Sequence, residues 1–130
     1  MNKKKQVAII TGGAKRIGAA ICRRLHKASI DIIIHYKNSE KEAVSLKEEL
    51  NCIRKNSASI IQADLLNSNN YSIIINKAID TFGQLNFLIN NASSYYRTNI
   101  KEVDEPNWDN LIGSNLKAAL FLSKEAAPFL

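Results

Sequence analysis

The stretch Val7-Ala8-Ile9-Ile10-Thr11-Gly12-Gly13-Ala14-Lys15-Arg16-Ile17-Gly18 decides how the rest of this chain is expected to fold. Its first four residues are apolar and mostly β-branched, which is typical of a strand buried on both faces. Gly12 and Gly13 then permit backbone angles that other residues resist. From there the apolar period becomes helical, and one helix face collects Ile17, Ile21, Leu25 and Ala28. The stretch therefore predicts a strand, a glycine turn and the start of a helix.

The glycine turn has the features of an anion-binding site. The first turn of a helix presents unpaired backbone N–H groups and the positive end of the helix dipole. Gly18 carries no Cβ, so we expect a ligand to approach the helix closely there. The turn predicts a site for the pyrophosphate of a dinucleotide. The alternative is an ordinary strand–turn–helix unit whose glycines serve geometry alone.

The remaining apolar runs predict strands that alternate with helices. Further strands are expected at 31–35, 59–63 and 86–90. Helices are expected from a capped start at Ser39, over about 68–82, over 106–112 and from 114 onward, with a loop at 91–104. The second helix is expected to bury Ala43, Leu46, Leu50 and Ile53. Alternation in units of about 25–30 residues predicts βαβ crossovers, and hence an α/β fold with a Rossmann-type, doubly wound parallel sheet.

Composition indicates one globular domain over residues 1–130. The chain is 45% hydrophobic and 23% charged, with a net charge of +6. The lysines at 3–5 contribute half of that charge and are interpreted as a solvated tail, not as a nucleic-acid site. No apolar run is long enough for a membrane span and no signal peptide is visible. Cys22 and Cys52 lack metal-site spacing, so we expect reduced thiols, a cytoplasmic location and no metal.

Polar and glycine-rich segments follow each predicted strand. They lie at 11–18, 35–39, 64–65 and 90–96. In open parallel sheets, ligands bind beyond the carboxyl ends of the strands. The co-location of these segments predicts an enzyme that binds a cofactor at this edge.

The end of the second strand indicates which nicotinamide cofactor fits. An acidic residue there would bind the ribose hydroxyls of NAD and repel the 2′-phosphate of NADP. This chain has His35-Tyr36-Lys37-Asn38-Ser39, with no acid. Lys37 offers positive charge and Ser39 a hydroxyl at a helix start. The segment therefore favours NADP over NAD, although a solvated strand end is the simpler interpretation.

The pattern Thr-Gly-x-x-x-x-x-Gly at 11–18 resembles the short-chain dehydrogenase/reductase family. Arg16 stands where that family usually has a further glycine, and arginine there is similar to its pteridine reductase branch. Asn90-Asn91-Ala92-Ser93, with serine where most members have glycine, is also similar to that branch. The resemblance implies an NADPH-dependent oxidoreductase that reduces a pterin or dihydrofolate-type small molecule by hydride transfer.

The resemblance also implies roles for particular residues. Cofactor contacts fall on Thr11, Gly12, Arg16, Ile17, Gly18, His35, Tyr36, Lys37, Ser39, Asp64, Leu65, Asn91, Ala92 and Ser93. Asp64 and Leu65 would frame the adenine ring. The pterin would contact Arg16, Ser93 and Tyr95, the last by stacking. Asn115 would belong to the catalytic group by helping to hold the active-site lysine through water, although an asparagine near a helix start can also be a plain cap.

The chain departs from the family pattern in three ways. Asn38 replaces an arginine that binds the 2′-phosphate, so Lys37 and Arg16 would carry more of that charge. Tyr95 stands where phenylalanine is more common. The family's proton donor, the tyrosine of a Tyr-x-x-x-Lys motif, does not occur in these residues. We therefore expect a fold truncated after its fifth helix, which would form a homo-oligomer when complete.

Two other functions stay open at this point. A 3-oxoacyl carrier-protein reductase shares the general pattern, although Arg16 and Ser93 weigh against it. A truncated, non-catalytic NADP-binding module is the other alternative, and the missing tyrosine–lysine pair favours it.

Overall fold

A computed structural model describes residues 5–130 and contains one four-stranded sheet. The lysines at positions 3 and 4 lie outside the described residues. The strands are β1 (Gln6–Ile10), β2 (Ile30–Tyr36), β3 (Ala58–Gln62) and β4 (Phe87–Ile89). The helices are α1 (Arg16–Lys27), α2 (Glu40–Ile53), α3 (Asn70–Phe82), α4 (Glu105–Ile112) and α5 (Ala118–Ala126).

All strand pairs are parallel, and the strand order is β3-β2-β1-β4. β1 lies between β2 and β4, with Ile10 paired to Ile34 on one side and to Ile89 on the other. The chain therefore leaves β1 in one direction to form β2 and β3, and returns to its other side to form β4. This reversal creates a crevice at the carboxyl end of β1, where such sheets bind ligands.

Side chains of β1 alternate between two cores, one on each face of the sheet. Val7 and Ile9 pack with α3 and α5, whereas Ala8 and Ile10 pack with α1 and α2. Because both faces are covered, the strand is apolar throughout instead of alternating with polar residues. The predicted doubly wound α/β architecture is confirmed.

The buried face of α1 differs from the one that its apolar period predicts. Gly18, Ala19, Cys22 and His26 are buried, Ile21 and Leu25 are only partly buried, and Ile17 is 70% exposed. The first three of the buried residues are small, because this part of α1 packs against the glycine turn, where a Cβ on Gly18 would lie 2.1 Å from the Gly12 carbonyl oxygen. The prediction of Ile17 and Ala28 on this face is therefore wrong, because Ile17 is exposed and Ala28 is the exposed residue that caps the end of α1.

The second helix follows its predicted face except at its last residue. Ala43, Leu46 and Leu50 are buried, but Ile53 is 72% exposed. Ser39 occupies the cap position without a side-chain cap hydrogen bond. Glu40 and Glu42 in the first turn instead complement the positive end of the helix dipole.

The last two predicted helices form one nearly continuous helical segment. A π-helical turn, Gly113–Lys117, joins α4 to α5. Asp104 caps α4 by accepting a hydrogen bond from the Asn107 N–H at 2.8 Å. Asn115 therefore lies inside the π-helical turn and not at a helix start, so its interpretation as a cap is wrong.

Within residues 5–130, no helix combines the length and the apolar character that a membrane crossing requires. The same residues contain no cluster of three or more histidine, cysteine or acidic side chains that could hold a metal ion.

Candidate functional site

The glycine turn after β1 depends on two glycines for different reasons. Gly12 has a φ of +59°, a left-handed conformation that favours glycine. Gly13 does not have a positive φ, so of the two glycines expected to permit unusual backbone angles only Gly12 adopts one. A Cβ on Gly13 would lie only 2.9 Å from the Ile10 carbonyl oxygen. Gly13 is therefore needed for close packing against Ile10 and Cys22.

Gly18 allows α1 to start directly against the glycine turn. A Cβ there would lie 2.1 Å from the Gly12 carbonyl oxygen and 2.8 Å from the Asn91 amide nitrogen. The approach of a ligand stays a prediction, and the close approach that Gly18 permits in the structure is between the helix and its own turn. It brings the N-terminus of α1, with its unpaired amides, next to the carboxyl end of β1.

Thr11 and Asn91 tie the ends of β1 and β4 together. The Thr11 hydroxyl oxygen accepts hydrogen bonds from the Asn91 and Ala92 N–H groups at 3.0 and 2.9 Å. The Asn91 side-chain amide donates to the Thr11 and Gly12 carbonyl oxygens, both at 3.1 Å. Thr11 is buried and does not line the cleft described below. These bonds fix the conformation of the glycine turn relative to the end of β4.

His35 joins three of the segments that follow the strands. Its Nδ1 accepts a hydrogen bond from the Gly12 N–H at 3.1 Å, so Nε2 carries the proton and donates to the Ala63 carbonyl oxygen at 2.8 Å. Burial lowers the pKa of His35, against the opposing effect of its bond to Ala63. The imidazole is therefore neutral, and both ring nitrogens already have partners within the protein.

A cleft of about 460 Å³ opens at the carboxyl edge of the sheet. Most of the predicted cofactor residues line it. They are Gly12, Arg16, Ile17 and Gly18 from the turn and the start of α1, His35 near the end of strand β2 and Lys37 directly after it, Asp64 and Leu65 after β3, and Asn91, Ala92 and Ser93 after β4. The tertiary structure thus brings together residues that are far apart in sequence.

The rim of the cleft is cationic. Lys15, Arg16 and Lys37 line it, and Asp64 is the acidic residue among the lining positions of the described chain. Lys37 Nζ lies 3.8 Å from Asp64 Oδ2. Arg16 is exposed and has a φ of +50°, which is unusual for a residue with a side chain. This charge distribution suits an anionic ligand.

Besides Thr11, four predicted site residues lie outside the lining of the cleft. Tyr36 is buried in the core next to α1 and α2, and Ser39 is the partly buried cap of α2. Tyr95, in the loop after β4, is 87% exposed. Asn115 lies in the π-helical turn and bonds to that loop. The stacking role expected of Tyr95 stays a prediction.

Asn115 fastens the loop after β4 to the π-helical turn. Its side-chain oxygen accepts from the Ser94 N–H at 2.8 Å, and its side-chain nitrogen donates to the Ser94 carbonyl oxygen at 2.7 Å. The hydroxyls of Ser94 and Ser114 also form a hydrogen bond. Asn115 thereby positions the backbone next to Ser93, at the part of the cleft that follows β4.

The sequence interpretation missed several residues that line the cleft. They are Lys15, Leu66, Ser94, Asn110 and Ser114. Lys15 could have been included from its place in the glycine turn. Asn110 and Ser114 are one helical turn apart, and Ser114 Oγ donates to the Asn110 carbonyl oxygen at 2.9 Å. Only the tertiary structure, which brings the end of α4 and the π-helical turn to the cleft, reveals their position.

Comparison with known proteins agrees with this architecture. An uncharacterised oxidoreductase of Staphylococcus aureus (strain USA300) is 29% identical, over 95% of this chain and 52% of its own length. Pteridine reductase 1 of Leishmania tarentolae is 31% identical, over 95% of this chain and 50% of its own length. The chain thus spans about half the length of these curated relatives. The model of the short chain dehydrogenase family matches residues 6–130, and the chain therefore belongs to that family.

Proposed function

We propose that this protein is an NADPH-dependent oxidoreductase that reduces a pterin- or dihydrofolate-type ring by hydride transfer. One observation carries the proposal: Arg16, Lys37 and Ser93 line a single cleft around the glycine turn. The named relative that acts on a pteridine supports the substrate class by analogy.

The residues of the cleft fit a phosphorylated dinucleotide. The left-handed Gly12 and the missing Cβ of Gly18 keep the turn close to the helix N-terminus, where pyrophosphate groups bind. In this proposal Lys37 binds the 2′-phosphate, Asp64 and Leu65 hold the adenine, and Ser93 contacts both ligands. When bound, the cofactor supplies the hydride. Because both nitrogens of the neutral His35 are already bonded, His35 shapes the cleft floor instead of binding phosphate.

Cofactor choice is the first test. We expect calorimetry to show tighter binding of NADPH than of NADH. Lys37→Glu should narrow or reverse that difference, because a charge-assisted contact contributes about 1.5–3 kcal/mol, or roughly ten- to a hundredfold. Lys55→Glu makes the same charge change next to the amino end of β3, far from the cleft, and should leave the preference intact. Equal affinities of the unmodified chain for both cofactors would rule out the NADPH proposal.

Substrate class is the second test. With NADP⁺ saturating the chain, pterin binding is measured by fluorescence for Tyr95→Ala and for the conservative Tyr95→Phe. Loss of ring stacking, worth about 0.5–1.5 kcal/mol, should weaken binding by about two- to tenfold in the alanine variant alone. NADPH affinity should barely change in either variant. Unchanged pterin binding in Tyr95→Ala, or binding of carrier-protein thioesters only, would contradict the proposal.

Catalysis by these residues alone is the third test. Because they contain no Tyr-x-x-x-Lys pair, the purified 130-residue chain should bind NADPH without oxidising it in the presence of dihydrobiopterin or dihydrofolate. General acid catalysis typically contributes about 10²–10⁴-fold. Clear oxidation of NADPH would show that the proton donor lies among these residues.

A further inference from the structure

We propose that Asp64 is a specificity-determining residue, because its carboxylate competes with the 2′-phosphate of the cofactor for the Lys37 ammonium. This inference rests on the proposed function, since it concerns the same cleft. Both NADH and NADPH carry an adenine ring, so an adenine contact cannot discriminate between them. The role proposed for Asp64 is distinct from that contact.

The carboxylate of Asp64 is held in place by its own loop. Its Oδ1 accepts a hydrogen bond from the Leu66 N–H at 2.9 Å. The Asp64 carbonyl oxygen accepts another from the Asn70 side chain at 2.9 Å. The second carboxylate oxygen, Oδ2, is the one that lies 3.8 Å from Lys37 Nζ. The negative charge therefore occupies a set position at the rim of the cleft.

Lys37, in contrast, is fixed only at its backbone. Its carbonyl oxygen accepts a hydrogen bond from the Gln62 side chain at 3.0 Å, which anchors the end of β2 to the end of β3. Its side chain is about half exposed and has a flexible four-carbon stem. The ammonium group can therefore leave Asp64 for a nearby phosphate without disturbing the sheet.

NADH and NADPH affect the ion pair between Lys37 and Asp64 differently. NADH has no 2′-phosphate, so the pair can persist when NADH binds. NADPH must draw the Lys37 ammonium away from Asp64 before its 2′-phosphate can bind that ammonium. Asp64 thus weakens the preference that Lys37 provides. Since both side chains are half exposed, solvent limits the effect to a few fold.

The test is a double-mutant cycle on the ratio of the NADPH and NADH dissociation constants. Calorimetry is performed on the unmodified chain, Asp64→Asn, Lys37→Gln and the double variant. Asparagine keeps the size of aspartate and an oxygen for the Leu66 N–H. We expect Asp64→Asn to increase the NADPH preference by about three- to fivefold. The increase should nearly disappear in the Lys37→Gln background and should shrink at high salt.

The ratio cancels any adenine contact that Asp64→Asn removes, because that loss weakens both cofactors equally. An unchanged ratio in Asp64→Asn would overturn the inference. An equal increase with and without Lys37 would also overturn it, since it would indicate direct repulsion between carboxylate and phosphate. The NADPH proposal and the Asp64 inference can fail independently. The NADPH proposal fails if the unmodified chain shows no preference for NADPH. The Asp64 inference would still be supported if Asp64→Asn then produced such a preference and the preference required Lys37.

Discussion

Arg16 holds a backbone conformation that arginine rarely adopts. Its φ of +50° lies in the left-handed region, where a side chain clashes with the neighbouring carbonyl oxygen. The family usually places glycine there, which avoids this strain. Arg16 lines the cleft, and no side chain within residues 5–130 forms a salt bridge with it. In the proposed function, this strained backbone is tolerated because the Arg16 side chain binds the cofactor.

Two substitutions of Arg16 should have different effects on the free energy of unfolding but similar effects on NADPH binding. Arg16→Gly should raise the free energy of unfolding by up to about 1 kcal/mol, because glycine adopts this conformation without strain. Arg16→Ala keeps the strain and should leave stability nearly unchanged. Both variants should weaken NADPH binding by roughly tenfold or more, through loss of charge-assisted contacts. Chemical denaturation and calorimetry measure the two effects. Equal stability changes in the two variants would show that the backbone is not strained.

At the scale of the elements, the contact between α1 and the glycine turn depends on Gly18. The Gly12 carbonyl oxygen and the Asn91 amide occupy the space that a Cβ would need. The same Asn91 amide bonds to the turn, which links α1 to the end of β4. One missing methyl group therefore permits three elements to meet at the cleft.

Gly18→Ala should be among the most destabilising single-methyl changes in this chain. The added Cβ must displace backbone, so we expect a loss of about 3 kcal/mol or more and no measurable NADPH binding. Gly83→Ala is the matched control. Gly83 has a φ of +81° at the end of α3, and nothing lies within 4 Å of its Cβ position. Its cost should be strain alone, about 1 kcal/mol, with binding preserved. Similar losses in the two variants would contradict the packing argument.

At the scale of the whole molecule, two buried neutral histidines connect stability to pH. Burial lowers the pKa of both His26 and His35, and repulsion from Arg54 lowers that of His26 further, while Asp31 and Glu49 oppose it. His26 Nε2 lies 2.6 Å from the Ser57 hydroxyl oxygen. In the unfolded chain both imidazoles bind protons near the ordinary pKa of about 6.5.

Stability should therefore fall as the pH drops below about 6.5, because the unfolded state then binds protons that the folded state excludes. The loss should continue until the pH reaches the lowered pKa values of the folded state. Urea unfolding between about pH 7 and pH 5 measures it. His26→Asn and His35→Asn should each reduce this pH dependence, whatever they do to stability at neutral pH. An unchanged slope in the double variant would exclude the histidines as its origin. Glu49, whose pKa the Arg23 hydrogen bond lowers, contributes only in more acidic solution.

The sequence by itself determined the order of strands and helices, the parallel sheet, the glycine turn and the edge where the cleft opens. These features follow from local patterns: a continuous apolar run such as Val7 to Ile10 is stable only when both faces are covered. The lack of an acidic residue at the end of β2 could also be read from the sequence, because it depends only on which residues stand there.

The tertiary structure alone decided which side chains in those segments remain available to a ligand. His35 and Tyr36 follow one another in a segment that suggested phosphate contacts, yet His35 is bonded to Gly12 and Ala63 and Tyr36 is buried in the core. Lys37 faces Asp64, and Asn115 holds Ser94. The partners in these pairs are separated by 21 to 28 residues, and up to 80 for Thr11 and Asn91. Local patterns report how apolar a segment is, whereas partners at such distances are set by how the chain returns to the sheet edge.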